Sequence, residues 1–123
     1  MKVGIIGTGP WGRALATLVA EAGHQPRMGY RSQAPRGFPG TPNVAALVKE
    51  SDLTLVAVPP SSVTELVESA QPGAADVLVL ASRGLCPDTG GWLSEQVISR
   101  SACRRVGALS GPTLAAEVIA RRP

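Results

Sequence analysis

Six residues near the start of the chain, Gly7-Thr8-Gly9-Pro10-Trp11-Gly12, have the types and spacing to cradle phosphate. The string G-x-G-x-x-G is weak evidence alone, because glycine-rich turns are common. Its context gives it weight. The apolar run Val3-Gly4-Ile5-Ile6 leads directly into it, and Trp11 to Ala22, with Leu15, Leu18, Val19 and Ala22 at helical spacing, leads out. In that setting Gly7 permits a tight turn, Gly9 lets the backbone approach a pyrophosphate, and Gly12 lets the helix pack close to the strand. The helix N-terminus then offers N–H groups and a partial positive charge to the phosphates. A dinucleotide is the ligand this arrangement suits. A flavodoxin-like domain, which binds at the same edge of a similarly ordered sheet, and a purely structural glycine turn are the alternatives.

The end of the second strand chooses between the two nicotinamide cofactors. A domain that prefers NAD usually places Asp or Glu there, about twenty residues past the glycines, against the ribose 2′-hydroxyl. Here the positions read Tyr30-Arg31-Ser32, with no carboxylate. Arg31 can fork onto a 2′-phosphate and Ser32 can donate to it, so NADP is favoured over NAD. An arginine merely exposed at a strand end is the competing reading.

The net charge of +3 is carried by arginine, with lysine only at positions 2 and 49 and doublets at Arg104-Arg105 and Arg121-Arg122. That bias suits an anionic ligand. No nucleic-acid partner is expected, because aromatic residues are only 3% of the chain and no basic helix accompanies the charge. Cys86 and Cys103 lack metal-ligand spacing and a disulfide framework, and the one histidine, His24, is near neither. They read as spectator thiols in a reducing cytoplasm, with no metal site. No signal peptide and no apolar run of membrane-spanning length is seen, so no membrane partner is expected.

The elements that must position these residues alternate along the chain. Strands are expected at Val3–Ile6, Arg27–Tyr30, Leu53–Val58, Val77–Ala81 and Val106–Leu109. Helices are expected from Trp11 with Gly23 as its C-terminal cap, around Val44–Lys49, from about Val63 with Ser61 as cap, around Trp92–Ile98, and from Gly111-Pro112-Thr113 to Ala120. The stretch Gln33–Pro42, rich in Pro and Gly, reads as an abbreviated connection. The nearly all-apolar fourth strand should be central and buried on both faces. The fold class is therefore α/β: a Rossmann-type doubly wound parallel sheet of about five strands, in order 2-1-3-4-5, with helices on both faces. Residues 1–123 form one domain, which reads as cut short before its last strands.

Three segments resemble one family. The glycine loop with Trp11-Gly12 resembles the opening of bacterial NAD(P)-dependent glycerol-3-phosphate dehydrogenases. Val56-Ala57-Val58-Pro59 is similar to the strand ending in Val-Pro beneath the cofactor in that family. Ser110-Gly111-Pro112-Thr113-Leu114-Ala115-Ala116-Glu117 is similar to its Ser-Gly-Pro-Ser/Thr-Phe-Ala-x-Glu segment, which is the most specific match and argues against related imine or 6-phosphogluconate-type reductases. The resemblance implies that Pro10, Trp11 and Ala115 lie against the cofactor, with Arg31 near its 2′ end. It also implies that Gly111 and Thr113 approach a small phosphorylated substrate, although a Gly-Pro helix start without a ligand is the plainer reading.

Two departures qualify the resemblance. The family's Lys-Gly-Leu/Ile segment reads Arg83-Gly84-Leu85 here. Arg83 keeps a charge for cofactor and substrate but cannot move a proton near neutral pH. The helical domain that carries the family's catalytic lysine has no counterpart in these residues, so no catalytic residue is expected in this chain. The resemblance thus implies the dinucleotide-binding half of such a dehydrogenase, inactive alone, with a separate C-terminal chain as a partner; an unfinished sheet edge beyond the fifth strand would invite a homo-oligomer. A stand-alone module that binds dinucleotide without turnover is the alternative from another class.

Overall fold

The computed structural model describes residues 1–82, 84–111 and 114–121. Along the chain run β1 (Lys2–Ile6), α1 (Pro10–Glu21), β2 (Gln25–Gly29), β3 (Gly40–Thr41), α2 (Val44–Glu50), β4 (Leu53–Val56), α3 (Pro60–Ala70), β5 (Val77–Leu80), α4 (Leu93–Arg100), β6 (Arg105–Ala108) and α5 (Ala115–Ile119). The strands form one sheet in the order β3-β2-β1-β4-β5-β6, every pair parallel. The expected order is present, with one strand more than expected at the edge.

That extra strand is two residues long, pairing Met28 with Gly40 and Gly29 with Thr41. It has no apolar run to announce it. It is held by the backbone, the Met28 amide donating to Pro39 O at 2.8 Å and the Tyr30 amide to Thr41 O at 3.1 Å. A Cβ on Gly40 would lie 2.6 Å from the Pro35 ring. The segment that reads as irregular is thus a strand edge folded under its own prolines.

Because paired residues of a parallel sheet share a face, the register sorts the core. Ile6, Val56, Leu78 and Leu80 point to one side, where Leu47 of α2, Val63 and Val67 of α3, and Val97 of α4 close over them. Val3, Ile5 and Met28 point to the other, against Ala16 of α1. This second cover thins out along the sheet. Leu53, Leu55, Val77 and Val79 are half-buried and Gly107 is exposed, while α5 lies against α1 and buries none of its residues. The expectation that the fourth apolar strand, β5, is buried on both faces is therefore corrected. Composition reports what could be buried, not which helix arrives to bury it.

Local chemistry explains some helix ends, and two more expectations are corrected. Gly23 ends α1 as expected, at φ +86°, with the His24 amide returning to Val19 O. Asn43 caps α2, its side-chain oxygen accepting from the Ala46 amide at 3.0 Å. Helix α3 starts at Pro60 after Pro59, so Ser61 lies in its first turn and caps nothing. Helix α5 begins at Ala115, after Leu114 at the N-cap position without a side-chain cap, so Gly111 precedes the helix and is not its start. Both thiols are free and buried.

Asp76 ties the α2 side of the sheet together just before β5. Its carboxylate accepts from Lys49 Nζ at 2.7 Å and from the Gly73 amide at 2.6 Å. Burial pushes its pKa up, but the bonds from Lys49 and Gly73 and the Lys49 charge outweigh this and hold it below the usual Asp value. A carboxylate held low stabilises the fold above its unfolded pKa and stops doing so as pH falls through the native value. Asp76→Asn should therefore cost about 1 kcal/mol near neutrality. In paired melting curves the gap between the proteins should close as pH drops below about 4. A gap that persists in acid would show that the carboxylate charge is not its source. Gly12→Ala should cost more, about 3 kcal/mol, because the added Cβ would stand 2.0 Å from Gly7 O, a backbone atom that cannot swing away. An unchanged melting temperature would refute that close approach.

Candidate functional site

The crevice lies at the carboxyl ends of the strands. The chain leaves β1 toward β2 by way of α1 on one face, and reaches β4 by way of α2 on the other. This reversal beside β1 opens a cleft, which is where open α/β sheets take ligands.

The loop from β1 to α1 is shaped by contacts that exclude side chains. Gly7 sits at φ +120°, and a Cβ there would lie 2.5 Å from Ala57 O. Its amide donates to Gly29 O at 3.2 Å, so the loop is pinned between β2 and the segment after β4. Gly9 differs: a Cβ on it would meet nothing within 4 Å. It is glycine on the open side, where a ligand and not the protein would meet a side chain. Helix α1 then begins at Pro10, with its positive dipole end at the loop. Trp11 locks this end across the sheet, its indole N–H donating to Ala81 O at 2.9 Å.

A cavity of about 690 Å³ opens in front of this loop. Gly7, Gly9, Pro10 and Trp11 form its helix side, Val58 and Pro59 extend beneath it, and Tyr30 and Arg31 stand at its β2 end. Gly12 is buried behind the loop and supports it from below. Arg31 pairs with Glu65 of α3 at 3.3 Å, both side chains largely exposed. A second cavity of about 530 Å³ adjoins the first and shares Trp11, Ala81 and Ser82 with it. Leu85, Trp92, Leu109 and Gly111 line its outer part.

Most of the expected cofactor residues thus converge, but not all. Ser32 is exposed and lines neither cavity, and Ala115 is half-buried at the start of α5 and also lines neither. Gly111 is exposed at φ +157° on the second cavity, without the helix N-terminus expected there. Arg83 and Thr113 lie outside the described residues.

Sequence reasoning missed the α3 wall, made by Ser62, Glu65, Leu66 and Ser69. Their spacing is that of one helix face, yet three of the four are polar, so no apolar stripe singles them out. Among the described residues no group of three metal-ligating side chains occurs, and no helix is long and apolar enough to cross a membrane.

Comparison with known proteins adds descent to this geometry. The family model for the N-terminus of NAD-dependent glycerol-3-phosphate dehydrogenase matches residues 31–123, so it is satisfied without the glycine loop. A curated relative from Mesorhizobium japonicum, glycerol-3-phosphate dehydrogenase [NAD(P)+], is 33% identical over 141 aligned positions, covering 95% of this chain and 40% of the relative. The aligned stretch exceeds the chain's 123 residues, so the relative is the longer of the two within it. The solved glycerol-3-phosphate dehydrogenase of Coxiella burnetii superposes with a TM-score of 0.82 at 22% identity, over 99% of this chain and 44% of that one. The Saccharomyces cerevisiae enzyme does so at 0.79 and 19%, over 98% and 44%. At those identities the structures attest the fold, and the family rests on the sequence match. The chain spans about two fifths of the length of the curated relative. By the span and position of that match, it belongs to the NAD-dependent glycerol-3-phosphate dehydrogenase family, of which it is an N-terminal domain.

Proposed function

We propose that the chain binds NADP or NAD, with NADP favoured, in the crevice in front of the glycine loop, as the dinucleotide-binding part of a cytoplasmic glycerol-3-phosphate dehydrogenase. The observation that carries this is the 690 Å³ cavity at the N-terminal end of α1, open at Gly9 and ending at Arg31. The residues present fit such a group. The loop backbone and the α1 dipole suit a pyrophosphate, and Val58 and Pro59 supply an apolar floor that excludes water. Arg31 is the cation for a 2′-phosphate on a strand end that has no carboxylate. Ser32 would have to turn inward to assist, and Ala115 would reach the cofactor only if α5 moved.

When bound, a reduced nicotinamide supplies hydride for a carbonyl carbon such as C2 of dihydroxyacetone phosphate. The protein's own part here is to hold and orient. The Trp11–Ala81 bond fixes the start of α1 against β5, and the adjoining cavity with Gly111 is the space for a small phosphorylated substrate, toward which Thr113 and Arg83 are assigned by resemblance. Proton transfer is a different matter. Of the described residues lining the second cavity none is titratable, and the first offers only Tyr30, Arg31 and Glu65. A proton donor would have to come from a separate chain or from a further part of a longer one. Two unpaired buried thiols suit a reducing compartment.

Titration followed by tryptophan fluorescence should show tighter binding of NADPH than of NADH. Arg31→Ala should weaken NADPH selectively, by about 1–3 kcal/mol if its hydrogen bonds are charge-assisted. Equal affinities, or a preference for NADH, would count against the NADP assignment. Purified alone, the chain should not measurably reduce dihydroxyacetone phosphate with either cofactor, since positioning and acid catalysis normally supply many orders of magnitude. Robust turnover would mean that a proton donor already lies within these residues.

A further inference from the structure

We infer that Glu65 sets how strongly the crevice discriminates between 2′-phosphorylated and unphosphorylated dinucleotides, by holding Arg31 in an ion pair across the crevice mouth. The inference rests on the dinucleotide placement proposed above. Arg31 follows β2 and Glu65 stands on α3, on opposite walls of one cavity, with Nη2 and Oε1 3.3 Å apart. Helix α3, Pro-Ser-Ser-Val-Thr-Glu-Leu-Val-Glu-Ser-Ala, contains no basic residue, so Glu65 has no cation on its own helix. The helix's other carboxylate, Glu68, is already engaged by Arg100 at 2.6 Å. Among the described residues the ion pair of Glu65 is therefore with Arg31 alone.

This pairing acts oppositely on the two ligands. A 2′-phosphate that reaches Arg31 meets the Glu65 carboxylate beside it and must share or displace it against like-charge repulsion. An unphosphorylated ribose meets no such repulsion, and its hydroxyls can donate to Glu65. The carboxylate that the end of β2 lacks is thereby supplied from α3. Both side chains are more than two thirds exposed, at 73% and 72%, so the pair is weak and screened. It tunes selectivity and does not lock it. Glu65 acts both by holding Arg31 and by presenting its own carboxylate to the ribose end of the crevice.

The test is a double-mutant cycle on the chain with Glu65→Gln, Arg31→Ala and the double variant, titrated with NADPH and NADH at low and high salt. Glu65→Gln should tighten NADPH about two- to fivefold at low salt and leave NADH unchanged or weaker. The gain should shrink at high salt and in the Arg31→Ala background, and the melting temperature should stay the same, which a purely structural role would not produce. If Arg31→Ala weakens NADPH but Glu65→Gln leaves the NADPH-to-NADH ratio unchanged, the inference fails and the placement of the dinucleotide stands. If neither substitution alters either affinity, the placement itself is wrong and the inference falls with it.

Discussion

The structure depends on one close approach, that of Gly12 on α1 to the carbonyl of Gly7. With 2.0 Å between a notional Cβ and that oxygen, the helix can start where it does only because position 12 has no side chain. The consequence spreads outward. The start of α1 is brought against the end of β1, and its N-terminal end then faces the cleft beside β1. The Trp11 bond to Ala81 O is a second, side-chain anchor, and it ties the start of α1 to the end of β5.

The sheet around this contact is unevenly covered, and the unevenness coincides with the site. On the side of α2, α3 and α4 the core is closed, with Leu47, Val63 and Val97 fully buried. On the side of α1 the cover gives out beyond β4, and the second cavity opens there among Leu85, Trp92 and Leu109, all substantially exposed. Burial of apolar surface stabilises a fold roughly in proportion to area. The closed side therefore supplies most of the stability, and the open side leaves apolar surface next to the crevice. Charge is distributed along the crevice to match. The loop brings backbone dipoles, the floor is apolar, and the charged side chains described on its walls, Arg31 and Glu65, stand at the β2 end. A long ligand with phosphates in its middle and a variable anionic group at one end fits that distribution.

How much of this was legible in the residues depended on whether a feature is local. Gly7, Gly9 and Gly12 were readable because strand, turn and helix start follow one another within a dozen residues; Gly7 and Gly12 answer constraints imposed by neighbouring backbone, while Gly9 stands on the open side. The α/β order was readable for the same reason, since apolar runs of four to six residues alternate with helical spacing. Strand β3 was not, because two residues among prolines carry no periodicity and are strand only by virtue of bonds to Met28 and Tyr30. The starts of α3 and α5 were misplaced: α3 begins at Pro60, ahead of the candidate cap Ser61, and α5 begins at Ala115, beyond the Gly111-Pro112-Thr113 opening, with no side-chain cap to mark it.

By itself the sequence determined the fold class, the order of five of the six strands, the glycine loop and the family, all of which rest on short-range pattern and on segments that are matched in order. Only the tertiary structure decided which faces of the sheet are closed, that Ser32 and Ala115 stand away from the cavity, and that a wall of α3 brings Glu65 opposite Arg31. Those outcomes join residues far apart in the chain through the packing of separate elements. No local preference encodes them, because the distance between Arg31 and Glu65 exists only once β2 and α3 have taken their places beside the same sheet.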